Sequence, residues 1–219
     1  MNETLKTIIS IFASKKCLRC GELLEIAYPR YICPACESFM SGSLRNDSID
    51  IRSKYIYADK FLYYYNNEDI RSMVMRMKNS PRFDIADFFA AVTVDCITED
   101  ERYDGIDIVT NCPRKPSRVR RIGGDHSALF AKYIASYLNI PFMSLLKRHD
   151  GGKEQKRLNA RQRELNVLGK FYINKRYSCK GKKILLVDDI ITTGSTVCEC
   201  ARVLKGAGAR RVVAAFILN

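Results

Sequence analysis

The stretch that decides the fold is Ile184-Leu-Leu-Val-Asp-Asp-Ile-Ile-Thr-Thr-Gly-Ser-Thr196. Its first four residues are apolar, which is typical of a strand buried on both faces of a parallel sheet. Two carboxylates follow where this strand should end, and hydroxyl residues surround Gly194. The spacing of Val197, Ala201 and Leu204 then predicts a helix. A buried strand, an acidic strand end, a small turn and a helix start therefore follow one another directly.

This junction has the composition of a sugar phosphate site. Asp188 and Asp189 can accept hydrogen bonds from a sugar diol, directly or through a hydrated Mg²⁺. Backbone N–H groups and the helix dipole can hold a phosphate. The residues that would do so are Thr192, Thr193, Gly194, Ser195 and Thr196. The alternative is structural, with one Asp as a helix cap and Thr-Gly-Ser as an ordinary turn. Because adjacent acids repel each other, the pair favours a site that holds a cation or a diol.

Four cysteines near the start of the sequence form two C-x-x-C pairs, Cys17 with Cys20 and Cys33 with Cys36. Matched pairs at this spacing supply the four thiolates of a tetrahedral structural Zn²⁺ site. Disulfides are the alternative, but nothing else in the sequence indicates an oxidising compartment. A segment of roughly forty residues cannot bury enough core to fold alone, so the metal would supply the missing stability.

Strand-like and helix-like segments alternate along the rest of the sequence. Residues 53–64 predict a β-hairpin around Ala58-Asp59, and Asp125 is suited to cap a later helix. Further strands are predicted at 106–109, 140–146, 171–174 and 212–218. This alternation predicts an α/β fold with a doubly wound, mostly parallel sheet, in which ligands bind beyond the carboxyl ends of the strands.

The predicted division is an N-terminal helix with the zinc module at residues 1–45, followed by a larger domain at residues 46–219. The five remaining cysteines lack ligand spacing, and unpaired thiols indicate a reducing cytosol. The sequence has neither the pattern of a signal peptide nor a membrane-spanning run. We therefore expect a cytoplasmic protein without membrane insertion.

The net charge of +13 is concentrated in one segment. Residues 113–183 hold nineteen Lys and Arg against four Asp and Glu, with dense runs at 114–121 and 147–163. Each run follows a predicted strand, so both are expected at the sheet edge that carries Asp188. Three interpretations stay open: a solvated surface, cations that stabilise the phosphate charge of a small ligand, and a broad track for nucleic acid. The excess exceeds the need of one small ligand, which favours a polyanion partner in addition to that ligand.

Individual side chains in these runs are candidates for contacts with the anionic groups of the small ligand. They are Arg114, Lys115, Arg118, Arg120, Arg121, Lys153, Lys156 and Arg157. His149 begins a glycine-containing run, 149–153, that is a candidate lid. His126 directly follows the predicted cap and is expected at the surface of a helix start rather than in catalysis.

Aromatic residues alternate along one early segment and can stack on bases. They are Tyr55, Tyr57, Phe61, Tyr63 and Tyr65. Burial in the sheet is the alternative for most of them.

Residues 184–196 resemble the phosphoribosyl diphosphate (PRPP) motif of type I phosphoribosyltransferases: a hydrophobic strand, two acids, two apolar residues and Thr-Thr-Gly-x-Thr. The resemblance implies that Asp188 and Asp189 are the catalytic-site acids that hold the ribose hydroxyls. It also implies that the loop 192–196 wraps the 5-phosphate and that Mg²⁺ enters with PRPP. The candidate Lys and Arg side chains of the basic runs would then contact the pyrophosphate group, which leaves in the reaction.

The order of features resembles the ComF family, in which a cysteine-rich zinc module precedes a phosphoribosyltransferase domain. Residues 65–78 are similar to the family's helix that ends in a Lys. Residues 146–148 with Gln155, and residues 158–171, are similar to its segment before the PRPP strand.

Two stretches depart from the family's pattern. Its Pro-Val-Pro corresponds here to Asn111-Cys-Pro113, and its Arg-Gly-Phe-Asn-Gln corresponds to Ile122-Gly-Gly-Asp-His126. Arg118, Arg120 or Arg121 is the candidate replacement for the missing Arg.

The family resemblance implies a role in DNA uptake during bacterial competence. The expected partners are PRPP or another ribose 5-phosphate-containing ligand, single-stranded DNA, and proteins of competence or recombination. The alternative is an active Mg-PRPP-dependent phosphoribosyltransferase, in which a nitrogen of an unidentified acceptor attacks C1 of the ribose and pyrophosphate leaves.

Overall fold

The computed structural model describes residues 15–25, 28–49, 51, 53–80, 82–150 and 167–219. Its elements, in chain order, are β1 (Lys15–Lys16), β2 (Leu23–Leu24), α1 (Pro34–Ser43), β3 (Ala58–Tyr63), α2 (Glu68–Asn79), α3 (Phe83–Thr98), a 3₁₀ turn (Glu101–Tyr103), β4 (Ile108–Asn111), α4 (Pro116–Ile122), α5 (His126–Tyr137), β5 (Leu146–Arg148), β6 (Phe171–Ile173), β7 (Lys183–Ile190), α6 (Ser195–Gly206) and β8 (Arg211–Leu218).

A four-stranded sheet in the order β3-β8-β7-β4 forms the centre of the molecule, and its neighbouring strands are all parallel. In β7, Ile184 lies opposite Ile108 of β4 and Val212 of β8. The strand predicted from the apolar run is therefore an inner strand with a neighbour on each side. A continuous apolar run suits this position because both faces of such a strand are covered.

Side chains of β7 alternate between two separate cores. Leu185 and Val187 pack with residues of α2, α3 and α5, whereas Ile184 and Leu186 pack with residues of α6. All four side chains are fully buried. Helices thus cover both faces of the sheet, and the prediction of a doubly wound α/β fold is confirmed.

Two predicted helix signals also agree with the structure. The Asp125 carboxylate accepts the backbone N–H groups of Ser127 and Ala128 and so caps α5. In α6, Val197, Ala201 and Leu204 are buried on one face, as their spacing predicted.

The predicted hairpin at residues 53–64 is wrong. Residues 58–63 form the single strand β3, which pairs in parallel with β8. The Asp59 carboxylate is buried and accepts hydrogen bonds from the backbone N–H groups of Ile49 and Ile51. A residue type typical of turns therefore anchors the preceding segment to the sheet, a long-range contact that local turn chemistry does not reveal.

The segments predicted as strands at 140–146 and 171–174 do not form full strands of the central sheet. Their structured parts, β5 and β6, pair with each other in a separate antiparallel sheet. From the first segment, Phe142 makes an isolated parallel bridge to Val109. Among the described residues, no helix is both long and apolar enough to cross a membrane.

Candidate functional site

The two acids of the 184–196 stretch lie at the carboxyl end of β7. Asp189 is buried and Asp188 is half-buried. Two pockets meet at this point, and both are lined by Asp188, Ile190 and Thr196. The acids thus separate a small pocket on the helix α6 side from a larger basic cleft.

The small pocket is formed by the loop that joins β7 to α6. Residues 190–197 line it together with Asp188 and Phe216. Gly194 has φ +72° at the helix N-cap, a left-handed conformation that glycine adopts without strain. Gly194 has no side chain to cap α6, so the first-turn amides stay available to an anion. The hydroxyls of Thr193 and Ser195 lie 2.8 Å apart beside them.

The larger cleft collects cations around the acids. Its lining residues are Lys78, Cys112, Pro113, Arg114, Lys115, Arg118, Arg148, Asp188, Asp189, Ile190 and Thr196. Its volume is about 170 Å³, against about 60 Å³ for the loop pocket. Five basic side chains around two carboxylates leave an excess of positive charge, which suits a polyanionic group.

Asp189 is held by groups from three other parts of the chain. Its Oδ2 lies 2.8 Å from Nε2 of His126, 3.0 Å from Nζ of Lys78 and 4.0 Å from Nη2 of Arg114. Burial alone would raise the pKa of this carboxyl. The hydrogen bond to His126 and the positive charge of Lys78 outweigh burial and hold the pKa of Asp189 below its usual range.

Asp188 behaves in the opposite way. Burial and the negative charge of Asp189 raise the pKa of Asp188 well above its ordinary value, and the Lys78 charge opposes this only in part. Its Oδ1 accepts the backbone N–H of Asp189 at 3.0 Å. A ligand that brings hydroxyl donors or a divalent cation would stabilise the ionised form of Asp188.

The structure overturns the expectation that His126 is a surface residue at a helix start. His126 is only 3% exposed, because the Asp125 cap directs the first turn of α5 against the end of β7. Its contact with Asp189 joins residues 63 positions apart. The sequence signal was the departure from the family's Gln at this position, but spacing alone did not reveal the partner.

The predicted basic residues separate into three groups. Arg114, Lys115 and Arg118 line the cleft. Arg148 lines it as well, although it is not among the residues predicted from the sequence. Arg120 is 71% exposed and pairs with Asp150 at 3.0 Å. Arg121 is exposed and does not line the cleft. Lys153, Lys156, Arg157 and most of the candidate lid 149–153 lie outside the described residues.

The four N-terminal cysteines come together in space. The ligand atoms of Cys17, Cys20, Cys33 and Cys36 all lie within 4.8 Å of one another. The Sγ atoms of Cys20 and Cys33 are 3.8 Å apart, close to the roughly 3.8 Å edge of a tetrahedron with Zn–S bonds of about 2.3 Å. A disulfide would need a separation of about 2.0 Å.

Hydrogen bonds and burial act differently on the thiols of the cluster: against the lowering by the Cys36 backbone N–H, burial and the other cysteines raise the pKa of Cys33 to about 12. Although burial opposes ionisation, backbone N–H groups, that of Cys33 first, lower the pKa of Cys17 to about 6. Because the four sulfur atoms lie this close together, the cysteines can hold a zinc ion, which would itself deprotonate the coordinating thiols.

The cysteine module is docked on α2 through arginines. The Arg19 guanidinium donates two hydrogen bonds to Oδ2 of Asp69, at 2.7 and 3.0 Å, and lies 3.6 Å from the centre of the Phe39 ring. From the helix, Arg76 donates to the carbonyl of Leu18. The same helix carries Lys78 near its end, so it connects the cysteine module to the acid pair.

The part of the chain that carries the acid pair and the loop pocket is similar to a phosphoribosyl transferase domain. The family described as "Phosphoribosyl transferase domain" matches residues 125–219, which include the end of β7 and the loop to α6. Among solved structures, glutamine phosphoribosylpyrophosphate amidotransferase from B. subtilis is similar, with a TM-score of 0.41 and 24% identity over 61% of this chain and 27% of that one.

Two proteins with related sequences are similar to parts of this chain. The chain is 29% identical over 144 residues to the "DNA utilization protein YhgH" of Salmonella typhi, covering 64% of this chain and 63% of that protein. It is 59% identical over 32 residues to ribose-phosphate pyrophosphokinase 1 of Archaeoglobus fulgidus, covering 15% of this chain and 11% of that protein. The chain thus spans about 63% of the length of its YhgH relatives. The expected resemblance is supported: the chain is similar to these YhgH proteins, and its residues 125–219 match the phosphoribosyl transferase domain.

Opposite stability effects are expected when the two acids are neutralised separately. Asp188→Asn should raise the free energy of unfolding by about 1 kcal/mol at pH 7, because it removes a carboxylate whose ionisation is opposed. Asp189→Asn should lower it by about 3 kcal/mol, because it leaves buried cations without their partner. Urea unfolding of both variants measures the difference.

The pH dependence provides a second readout. Because its partners favour the ionised carboxylate, Asp189 makes its full contribution to the free energy of unfolding above the unfolded-state pKa of about 3.9. This contribution is lost as the pH falls through the lower pKa of the folded state. Equal destabilisation by both variants at pH 7 would contradict the assignment of opposite environments to the two acids.

Proposed function

We propose that this chain binds PRPP or another ribose 5-phosphate ester together with Mg²⁺, and that it acts with single-stranded DNA in uptake or recombination. The observation that most directly supports this proposal is that three surfaces meet at the end of β7: the acid pair, the amide-lined loop pocket and the basic cleft. A sugar with a phosphate at one end and a diphosphate at the other requires these three surfaces in this order.

Each part of the ligand has a proposed partner. The loop 192–196 binds the 5-phosphate through the first-turn amides of α6. Asp188 accepts the ribose hydroxyls, and Asp189 holds Lys78 and Arg114 in place beside them. Lys115, Arg118 and Arg148 face the diphosphate across the cleft. Mg²⁺ would neutralise part of the diphosphate charge and would bring its own positive charge to Asp188.

Calorimetric titration with PRPP and Mg²⁺ tests this site. The wild type should bind, and the Asp188→Asn/Asp189→Asn variant should bind at least about tenfold more weakly. Each Asn replaces one acceptor oxygen by an N–H donor and removes the negative charge, so the ribose hydroxyls lose charged acceptors and Lys78 and Arg114 lose their ion-pair partner. Asp107→Asn, at the amino end of the same sheet, is the matched control and should bind as the wild type does. Unchanged affinity in the double variant would overturn the proposal.

The alternative is that the same site is an active phosphoribosyltransferase. The cleft favours it, since its cations would stabilise pyrophosphate as negative charge develops on the leaving group. The protein would work by positioning the two reactants and stabilising charge. Release of pyrophosphate with any nitrogen acceptor, lost in the double Asn variant, would establish turnover. Tight PRPP binding without release across a broad acceptor panel would exclude this alternative and leave the binding role.

Exposed aromatic residues support the DNA part of the proposal. Tyr64 and Tyr65 follow β3 at the carboxyl edge of the sheet and are 44% and 39% exposed. Arg45 lies 5.5 Å from the Tyr64 ring centre, and Arg71 lies 5.5 Å from that of Tyr65. β3 is two strands away from β7, about 10 Å at the usual strand spacing. A base-stacking platform would then lie beside the basic cleft.

Not all the aromatic residues singled out in the sequence can serve this purpose. Phe61 and Tyr63 are buried, Tyr55 is half-buried, and Tyr57 is exposed near the amino end of β3. Tyr64 does not belong to the alternating set of aromatic residues, yet it is more exposed than Tyr65.

Fluorescence anisotropy with a labelled single strand tests the DNA role. Affinity should fall steeply with salt, and the Arg118→Ala/Arg120→Ala variant should show a shallower salt dependence, because fewer counterions are released. Tyr64→Ala/Tyr65→Ala should weaken binding by about 1–3 kcal/mol per stacked base while leaving the salt slope unchanged. Lys175→Ala/Lys180→Ala, near the amino end of β7, removes the same charge as a control. Affinity that does not change with salt would contradict the proposal.

The cysteine module completes the proposed architecture as a structural zinc site. The expected metal content is one Zn²⁺ per chain, lost in Cys17→Ser/Cys33→Ser and retained in the control Cys198→Ser. Loss of the metal should also speed hydrogen exchange in α2, because Arg19 and Arg76 dock the module on that helix. Zinc that remains bound to the double variant would refute this ligand set.

A further inference from the structure

We propose that a second pocket binds a neutral, planar heterocycle that donates an N–H hydrogen bond to His126. This inference goes beyond the proposed function, because the pocket is distinct from the two anion pockets. It lies among the helices, beyond the His126 side of the acid pair. Its lining residues are Met77, Ser80, Phe83, Ile122, Gly123, Gly124, Asp125, His126, Ala128, Leu129 and Lys132.

The size and walls of this helix-side pocket suit a small ring system. Its volume is about 260 Å³, near the lower end of ligand pockets. Phe83 lines it while remaining 58% exposed, which leaves a large aromatic face without cover. At Gly124, nothing lies within 4 Å of the position that a Cβ would take, so this part of the wall is open. A flat apolar ligand would cover the exposed ring and occupy the open space.

The hydrogen-bonding state of His126 determines the polarity of the ligand. The ring contacts the Asp189 carboxylate through Nε2. Since an ionised carboxylate can only accept, Nε2 carries a hydrogen, and Nδ1 is then the acceptor of a ring with one N–H. In the described part of the chain, Nδ1 is buried and has no hydrogen-bond partner. Buried polar atoms rarely stay unsatisfied, so Nδ1 calls for a donor on a ligand or a water molecule.

The charge of the lining favours a neutral ligand. Asp125 and Lys132 bring one charge of each sign. The Asp125 carboxylate is engaged by the backbone N–H groups at the start of α5. In the basic cleft, by contrast, five basic side chains face two carboxylates. An N–H-bearing aromatic heterocycle therefore fits the helix-side pocket better than a phosphate ester does.

Indole and its isostere benzofuran form the probe pair, since they differ mainly in the N–H donor. The chain has no Trp, so indole fluorescence reports binding directly, and benzofuran is measured by competition. Indole should bind the full-length protein with a dissociation constant of about a millimolar or lower. Benzofuran should bind at least about tenfold more weakly because it leaves Nδ1 unsatisfied.

Two pocket variants and one control locate the site. Gly124→Phe fills the open wall, restores the Phe of the family pattern and should weaken indole binding at least tenfold. Phe83→Ala changes an exposed side chain and should weaken it as well. Gly42→Phe, in α1 with open space around it, should bind indole as the wild type does.

The outcomes separate this inference from the proposed function. Failure of indole to bind the wild type, equal affinity for benzofuran, or full binding in both pocket variants would each overturn the inference. Retained indole binding with no binding of PRPP would support the inference while the proposed function failed. PRPP binding without indole binding would support the proposed function and overturn the inference.

Discussion

The rest of the site depends on one buried carboxylate. Asp189 contacts His126 of α5, Lys78 of α2 and Arg114 of the segment after β4, so one carboxylate oxygen, Oδ2, joins three parts of the chain to the end of β7. Removing one partner from such a buried pair costs about 3–5 kcal/mol, because the remaining charge has no compensation. This network explains why the pKa of Asp189 is lowered although the carboxyl is buried, while the pKa of Asp188, one residue earlier, is raised.

The network also extends to the cysteine module. Helix α2 is held at one end by Arg19 of the module, which bonds to Asp69, and it carries Lys78 near its other end. Between them, Arg76 bonds to the carbonyl of Leu18 beside Cys17. A rigid helix fixed at both ends transmits position, since packed helices are not continuously deformable. The cysteine cluster therefore has a structural connection to the acid pair although it is far from it in sequence.

Local patterns were sufficient for some elements and misleading for others. The apolar run 184–187 and the spacing in α6 predicted buried elements correctly, because hydrophobic periodicity is a local property that burial directly requires. Asp59 was interpreted as a turn residue, whereas its carboxylate bonds to the backbone of residues 49 and 51. Turn propensity is weak, and long-range hydrogen bonds override it. The failed prediction for His126 has the same cause, since its partner Asp189 lies 63 residues away.

By itself, the sequence determined the chemistry that is available: adjacent acids after a buried strand, a glycine-containing turn before a helix, four cysteines in two pairs and a concentrated basic segment. It also determined the fold class, because alternating strands and helices restrict the topology. Only the tertiary structure decided which charges meet. It brought Lys78, Arg114 and His126 to Asp189, and it directed Arg120 to Asp150 at the surface. Such pairings depend on how strands and helices are placed in three dimensions, and no spacing along the chain records that placement.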